Sequence, residues 1–323
     1  HPGKWMTCNK FFMCRYDFYP ELINYGATKA KEFTLFAATL KNFDKKPMPV
    51  QKYLRYCYHQ FQKVVAVTNC GREEMNKNIG ISMDKIEVYD FRVVQIGERQ
   101  EKRNDIFLQK LPHHDTFIQF LDQIPANEKF IFGSYWKKEF PIFAGHNFTE
   151  DTKQFFIFPH QLKKKNIQAI IDDFDRSGIK VFEFNQKTTM AQLLAAIEKA
   201  KKHSMVWVMN LKGVLCEIYT SFDYAYVGGG YGVSVHSLLE PYLGGSIVFC
   251  GPRVHRSTEY TLIKENSPKR IFVTAQLEEV LELMFLEAGH ETDSIDDFKL
   301  HYEGHLGVLL FWLGLSQKSE MVC

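Results

Sequence analysis

The stretch DYAYVGGGYGVSVHSLLEPYLGGSIVFCGP, residues 223–252, decides the fold. It contains an apolar run that ends in three glycines, then a loop, a segment with a helical pattern, and a second apolar run that ends in Gly-Pro. Parallel strands require a crossover connection, and a helix is the usual one. The order therefore predicts a strand, a helix and a parallel strand over these residues.

Short runs rich in β-branched and aromatic residues recur on both sides of this unit. The segments between them, such as 47–63 and 71–79, have a helical period, and this alternation is typical of a parallel α/β sheet. The predicted strands are 11–14, 33–40, 64–69, 86–91, 130–135, 155–160, 180–185, 204–210, 224–229, 246–251 and 270–275.

The length and apolar content of the chain predict two domains. The chain has 323 residues, 45% of them hydrophobic, and single cores stop growing at roughly 250–300 residues. The charged run ERQEKRND separates the two series of strands. We predict two doubly wound, Rossmann-like α/β lobes, with the ligand in a cleft between them at the carboxyl ends of the strands. The predicted divisions are 1–95, a linker at 96–127, 128–300, and a C-terminal helix or tail at 301–323.

Composition excludes several classes of protein. The 40 basic and 38 acidic side chains leave no overall field that would attract nucleic acid. The seven cysteines are scattered and form neither a CxxC pair nor a metal-binding spacing, which indicates a reducing compartment. The apolar run 306–315 is about half of the roughly 20 residues that a membrane-spanning helix needs, so we predict a core or interfacial helix there.

The glycine triplet and the segment after it predict a nucleotide site. Glycines let the backbone approach a phosphate closely, and a helix that begins near Ser234 would offer N–H groups to an anion. Glu240 follows His236 by four residues, so one helix face would carry both, and the carboxylate would accept the hydroxyls of a ribose. A glycine triplet before a helix, taken alone, is more often a tight turn. The glycines are Gly228, Gly229 and Gly230.

The segment resembles the nucleotide-sugar site of the bacterial 3-deoxy-D-manno-octulosonic acid (Kdo) transferase family. The family pattern is a Gly-Gly strand end, a loop, His-Asn-Pro-x-Glu, and a strand that ends in Gly-Pro. Ser237 and Leu238 replace Asn and Pro here. The family's Gly-x-Leu, Tyr and strand-start Asp also have counterparts, and the resemblance implies that Gly213 opens a helix whose N–H groups reach the cytidine phosphate. These counterparts are Gly213, Leu215, Tyr219 and Asp223.

Two further segments follow in the order that the family has. GSYWKKE (133–139) is similar to a Gly-Ser-Ser/Thr turn, so Ser134 is either a ligand contact or the N-cap of a helix. FFIFPHQL (155–162) places Pro159 and His160 where the family has Pro-Arg or Pro-His, which implies a contact to the donor phosphate. A lone histidine after a strand is otherwise usually structural.

The N-terminal part resembles the family's acceptor lobe more loosely. In CRYDFYPEL (14–22), Asp17 stands at an acid position that would orient the acceptor or tune a base, or else caps a helix. Arg92 matches a basic residue that would pair with the Kdo carboxylate or the leaving phosphate. Thr39 stands where the family often carries an Arg.

The resemblance implies a GT-B-like glycosyltransferase that moves Kdo from CMP-Kdo to a lipid A precursor. Residues 1–95 would be the truncated acceptor-side lobe and 128–300 the nucleotide-sugar lobe. A base would activate the acceptor hydroxyl for direct displacement, and the family's base and membrane anchor would precede His1. No cofactor or metal is expected, because helix N-termini, Arg92 and His160 would neutralise the departing phosphate. The expected place is the cytoplasmic face of the bacterial inner membrane, with peripheral membrane contact and without nucleic acid.

The sequence is compatible with two alternatives. The same glycines and Glu240 would serve a GT-B transferase that uses another nucleotide sugar. The chain would instead be a non-catalytic nucleotide-binding homologue if its departures from the family pattern, at Thr39 and Ser237, remove turnover.

Overall fold

The structure is a computed structural model, and it describes residues 8–15, 17–40, 42–148, 152–232, 234–255, 257–288 and 295–314. The predicted tail beyond residue 314 and the seventh cysteine, Cys323, lie outside the described residues. The chain divides into two compact units, residues 1–92 with 308–323 and residues 93–307.

The first unit is a parallel four-stranded sheet in the order β1-β2-β3-β4. Each strand is added beside the preceding one, and right-handed crossovers then place the connecting helices on one face. Buried side chains from all three helices, such as Ile23, Tyr58 and Met75, share one core with Phe33 and Leu35 of the sheet. The elements are β1 Cys8–Cys14, α1 Pro20–Lys29, β2 Ala30–Ala38, α2 Met48–Gln60, β3 Lys63–Ala66, α3 Asn69–Ile79 and β4 Ile86–Val88.

The second unit is a parallel seven-stranded sheet in the order β11-β10-β9-β5-β6-β8-β7. Its strands are β5 Lys129–Tyr135, β6 Gln154–Pro159, β7 Lys180–Asn185, β8 Met205–Asn210, β9 Tyr224–Val227, β10 Ile247–Cys250 and β11 Ile271–Val273. Its helices are α4 Arg92–Glu101, α5 Arg103–Lys110, α6 His114–Gln123, α7 Lys164–Arg176, α8 Met190–Ala200, α9 Leu215–Ile218, α10 Leu239–Leu243, α11 Thr258–Asn266, α12 Glu279–Glu287 and α13 Asp296–Trp312, whose last turn belongs to the first unit.

This seven-stranded sheet has an apolar core on each face. Ile131 of β5 lies in one core with helices α5, α6 and α8, whereas its neighbours Phe130 and Phe132 lie in the other core with α7 and α12. Successive side chains of a strand point to opposite faces, so strands buried on both sides need near-continuous apolar runs. Those runs are what made the strands recognisable in the sequence.

The strand order reverses between β5 and β9. From β5 the chain adds β6, then β7, and then β8 between these two on one side, and it returns to add β9, β10 and β11 on the other. The loops that leave β5 and β9 therefore run in opposite directions and open a crevice at the carboxyl edge of the sheet. Open α/β sheets bind their ligands at such a switch point.

The structure confirms the α/β class with two parallel sheets, and each of the eleven predicted strands has a counterpart. The predicted helices at 47–63 and 71–79 are α2 and α3. Residues 93–127, most of which we predicted as linker, form helices α4 to α6 and lie in the second unit. Within the described ranges, none of the helices combines the length and the apolar character needed to span a bilayer.

Candidate functional site

The candidate site lies in the second unit, at the carboxyl ends of β5, β6 and β9. Three segments meet there: residues 133–136 at the end of β5, His160 after β6, and residues 228–232 and 234–236 after β9. The backbone N–H of Gly228 donates to Gly133 O at 2.9 Å, and that of His160 donates to Tyr135 O at 2.9 Å. Backbone hydrogen bonds thus continue the sheet into its loops and fix their positions.

Each glycine of the triplet has its own packing reason. A Cβ on Gly228 would collide with the carbonyl oxygen of Ser134, and a Cβ on Gly230 would lie 2.6 Å from Gly251 N. Gly229 has φ +93°, a left-handed conformation that glycine adopts at no steric cost. The glycines therefore satisfy the fold first, and all three are buried by the neighbouring loops at the switch point.

The helix predicted from Ser234 begins later, which corrects the placement of His236. Helix α10 spans only Leu239–Leu243, so His236 lies in the preceding loop, with its N–H directed to Gly228 O at 3.3 Å. His236 and Glu240 do not share a helix face. Ser237 lies between them and is half-buried.

The N-terminus of α10 is already occupied by a carboxylate. Glu259 Oε2 accepts from Leu238 N at 2.6 Å and from Leu239 N at 3.1 Å. This carboxylate satisfies two N–H groups at the start of the observed helix, which are therefore not open to a ligand phosphate. The prediction of an open helix N-terminus after the glycines is therefore wrong.

Three aromatic side chains stack at the centre of the site. The Trp136 and His160 ring centroids are 4.3 Å apart at an interplanar angle of 23°, and those of His160 and His236 are 4.2 Å apart at 23°. Trp136 Nε1 lies 3.4 Å from His236 Nε2 and donates to it, which leaves the ring proton of a neutral His236 on Nδ1. We call Trp136, His160 and His236 the aromatic stack.

Both histidines of the stack favour the neutral form. Burial lowers the pKa of His160, and burial together with the neighbouring His160 lowers the pKa of His236. At neutral pH the stack therefore offers flat rings and single N–H donors instead of positive charges. His160, predicted as a cationic or donating group, is a donor on this evidence.

Glu139 ties the β5 loop to the glycine loop. It is fully buried, and its carboxylate accepts from Trp136 N at 2.9 Å and from Gly229 N at 2.8 Å. Burial raises its pKa, while those two N–H groups oppose the rise. Trp136 and Glu139 were not singled out from the sequence, although both stand in the quoted segment GSYWKKE, where a Glu three residues after a helix-start residue signals capping.

Glu240 is a half-buried carboxyl group with an altered pKa. Burial raises its pKa to about 7, Arg99 opposes the rise, and Glu259 and Glu217 add to it. Among the described residues, no side chain donates to its carboxylate. Its backbone oxygen accepts from Gln100 Nε2 at 2.8 Å, which anchors α10 to α4.

The other predicted residues of the second unit have local roles. Ser134 has φ +51° and does not cap a helix, because the 3₁₀ turn at Lys137–Phe143 begins after Trp136. Pro159 is buried and pairs with Tyr135 across the β5–β6 ladder. Gly213 has φ +77° and is exposed beside Lys110, and helix α9 begins two residues later and has only four residues.

Asp17 and Arg92 belong to the first unit. Asp17 is exposed and precedes α1, whose N-cap is Tyr19. Arg92 donates from Nε to both oxygens of buried Asp90, at 2.9 and 3.0 Å, so its charge is already paired inside the protein. Their catalytic roles stay predictions.

Fold and site together define a Rossmann-like α/β protein with a switch-point site. No protein-family model matches the chain, and no curated protein matches it. Among solved structures, the chain is similar to the C-terminal CMP-Kdo binding domain of WaaA from Acinetobacter baumannii, at 14% identity over 61% of this chain and 99% of that one, with a TM-score of 0.41.

Two other similar structures cover more of the chain. One is the UDP-GlcNAc 2-epimerase from Methanocaldococcus jannaschii, at 10% identity over 88% of this chain and 72% of that one, with a TM-score of 0.47. The other is a UDP-forming trehalose-phosphate synthase from Burkholderia xenovorans, at 9% identity over 86% of this chain and 65% of that one, with a TM-score of 0.44. At these levels of identity and TM-score the similarities assign no activity to this chain.

Proposed function

We propose that this chain binds a nucleotide sugar at the β5–β9 switch point and acts as a glycosyltransferase. The observation that carries the proposal is the convergence of the aromatic stack and the glycine loop at the point where the strand order reverses. Flat rings suit a nucleobase or a sugar ring, and the partly accessible Gly232 of this loop lets a phosphate approach the backbone.

The finer proposal is that the donor is CMP-Kdo and the acceptor a lipid A precursor. It is supported by the sequence pattern of a Gly-Gly strand end, His236, Glu240 and a Gly251-Pro252 strand end, which resembles the Kdo transferase family. The proposed reaction is direct displacement at the anomeric carbon by an acceptor hydroxyl. The predictions that it needs no metal and occurs at the cytoplasmic face of an inner membrane belong to the same proposal.

Neutral His160 and His236 would assist by hydrogen bonding. A neutral imidazole N–H donates to a phosphate oxygen without the cost of a buried positive charge, and this contact strengthens as negative charge develops on the departing phosphate. Glu139 would not contact the ligand. Its carboxylate accepts from the backbone N–H groups of Trp136 and Gly229, and it would thereby keep the loops after β5 and β9 in position.

The test is calorimetric titration of the intact chain with CMP and, separately, with UDP at pH 8. The proposal expects CMP to bind more tightly than UDP, and His236→Ala and Glu240→Gln to weaken that binding at least tenfold, the size of one lost charge-assisted or well-placed contact. His203→Ala, which removes an exposed imidazole, is the matched control and should bind as the unchanged protein does.

The outcomes separate the candidates. UDP selectivity with the same loss in both variants would replace CMP-Kdo by another nucleotide sugar. Binding of neither nucleotide would overturn the proposed function. Selective binding of CMP without transfer of Kdo to a lipid A precursor would favour the second candidate, a non-catalytic nucleotide-binding protein. The observation that favours this candidate is the Glu259 cap, since it removes helix N–H groups that would stabilise a leaving phosphate.

A further inference from the structure

Lys138 and Arg253 bring positive charge to the glycine loop of the second unit. The Lys138 ammonium lies 5.8 Å from the Trp136 ring centroid, and a Cβ on Gly232 would collide with it. The Arg253 guanidinium donates to Gly232 O, and its backbone N–H donates to Gly230 O at 3.0 Å. Two cations from different loops therefore flank Gly232, beside the aromatic stack.

The ammonium of Lys138 approaches the Trp136 ring but is not paired with a carboxylate among the described residues. In the described part of the chain it forms no ion pair, whereas its neighbour Lys137 lies 3.7 Å from Asp173. The next residue, Glu139, directs its carboxylate inward to Gly229. Lys138 is exposed, so its ammonium is accessible to a ligand that binds beside Trp136 and Gly232.

The helix N-terminus and the histidines at this site are not available as positive groups for an anion. Glu259 occupies the N-terminus of α10, and the two histidines of the stack favour the neutral form. The buried carboxyl group of Glu139 lies under Gly229 and offers no positive charge there, whereas Lys138 offers one on the side of Gly232.

We infer that Lys138 is a binding residue for the phosphate of a ligand whose ring system lies on the aromatic stack. The ligand class is a nucleoside monophosphate or diphosphate, free or joined to a sugar. Arg253 holds the Gly232 carbonyl and so fixes the loop against which the phosphate rests. The inference rests on the proposed function and supplies the charge contact that neither Arg92 nor the N-terminus of α10 is free to make.

The test compares a nucleotide with its nucleoside. Lys138→Gln and the matched control Lys137→Gln remove the same charge from adjacent exposed positions, and calorimetry measures the affinity of each variant for CMP and cytidine, or for UDP and uridine if UDP is the tighter ligand. We expect Lys138→Gln to weaken nucleotide binding roughly 5- to 20-fold, as for a charge-assisted contact, and to leave nucleoside binding unchanged. Lys137→Gln should change neither.

A second variant moves the ammonium without removing its charge. Gly232 does not have a positive φ, so Gly232→Ala is compatible with the backbone, and its Cβ displaces the flexible end of Lys138. It should weaken nucleotide binding to a similar degree. The double variant should then be no weaker than Lys138→Gln alone, because both changes act on one contact.

Three results would overturn the inference. Equal losses for nucleotide and nucleoside, an equal effect of Lys137→Gln, or unchanged nucleotide binding in Lys138→Gln would each show that Lys138 does not meet the phosphate. If one of these results is obtained while the unchanged protein binds nucleotide and His236→Ala weakens that binding, the proposed function stands and the inference alone fails. Absence of nucleotide binding in the unchanged protein removes both.

Discussion

At the scale of single residues, the carboxyl group of Glu240 is surrounded by more negative than positive charge. Arg99 favours its ionised form, whereas burial, Glu259 and Glu217 oppose ionisation, and its pKa rises to about 7. Such a group costs the folded state free energy wherever the unfolded chain ionises and the folded chain does not. Its retention at a candidate ligand site is consistent with a role other than stability.

The exchange Glu240→Gln should therefore stabilise the protein at high pH and not at low pH. The unfolded carboxyl ionises near pH 4.5 and the folded one near pH 7, so the advantage of the variant grows across that window and stays constant above it. We expect a gain of roughly 1–3 kcal/mol at pH 8 and little change at pH 4.5, measured by urea unfolding at both values. As a control, Glu282→Gln at an exposed position should change the free energy of unfolding by the same amount at both pH values. If Glu240→Gln also changed it by the same amount at both pH values, the raised pKa of Glu240 would be contradicted.

The aromatic stack shows what the sequence could not supply at this scale. Trp136, His160 and His236 are separated by 24 and 76 residues, and only the strand order brings their loops together. The strand pattern of a sequence predicts which loops begin at the carboxyl edge of a sheet. It does not predict which of these loops are neighbours in the folded protein. His160 and His236 were identified through the family pattern, whereas Trp136 and Glu139 required the geometry.

At the scale of elements, helix α10 depends on a side chain from α11. The helix has five residues, too few to be stable alone, and Glu259 caps it from the first turn of α11. The sequence around Ser234 predicted an earlier start because the cap lies 21 residues after Leu238. Strands were predicted well since their signal is local, and this helix start was not since its cause is tertiary.

Removing the cap should destabilise the second unit. Glu259→Ala leaves the N–H groups of Leu238 and Leu239 without their carboxylate, which should lower the free energy of unfolding by about 1–2 kcal/mol. Chemical denaturation measures the change. Glu282→Ala, an exposed position on α12, is the matched control and should remain within about 0.5 kcal/mol of the unchanged protein. A loss no larger than that of the control would mean that α10 does not depend on this cap.

At the scale of the whole molecule, the two units differ in how much apolar surface they enclose. The first has four strands and one described core, whereas the second has seven strands with a core on each face. Each unit contains a buried free thiol whose reactivity would follow its unfolding. Cys57 lies in the first unit, and Cys216 and Cys250 lie in the second. Burial raises the pKa of all three thiols, to about 12 for Cys216 and Cys250.

Thiol labelling should therefore resolve the stability of the two units. In native buffer we expect a maleimide to modify the exposed Cys14 and Cys70 and to spare the three buried thiols, because the reactive thiolate is neither accessible nor favoured there. With increasing guanidinium, Cys57 should react at a lower concentration than Cys216 and Cys250, as mapped by mass spectrometry of peptides. If Cys216 or Cys250 were labelled in native buffer as fast as Cys14, the interior of the second unit would be accessible to the reagent, and the prediction would be wrong.

The glycine triplet also bears on how relatives of this protein should be compared. Gly228, Gly229 and Gly230 are required by Ser134 O, by a left-handed backbone and by Gly251, which are three separate demands of folding. A lineage that lost its ligand would keep all three, since each replacement would need a compensating change elsewhere in the chain. Presence of the triplet in a distant relative thus records a shared fold, and retention of Trp136, His160 and His236 is the better mark of an inherited activity.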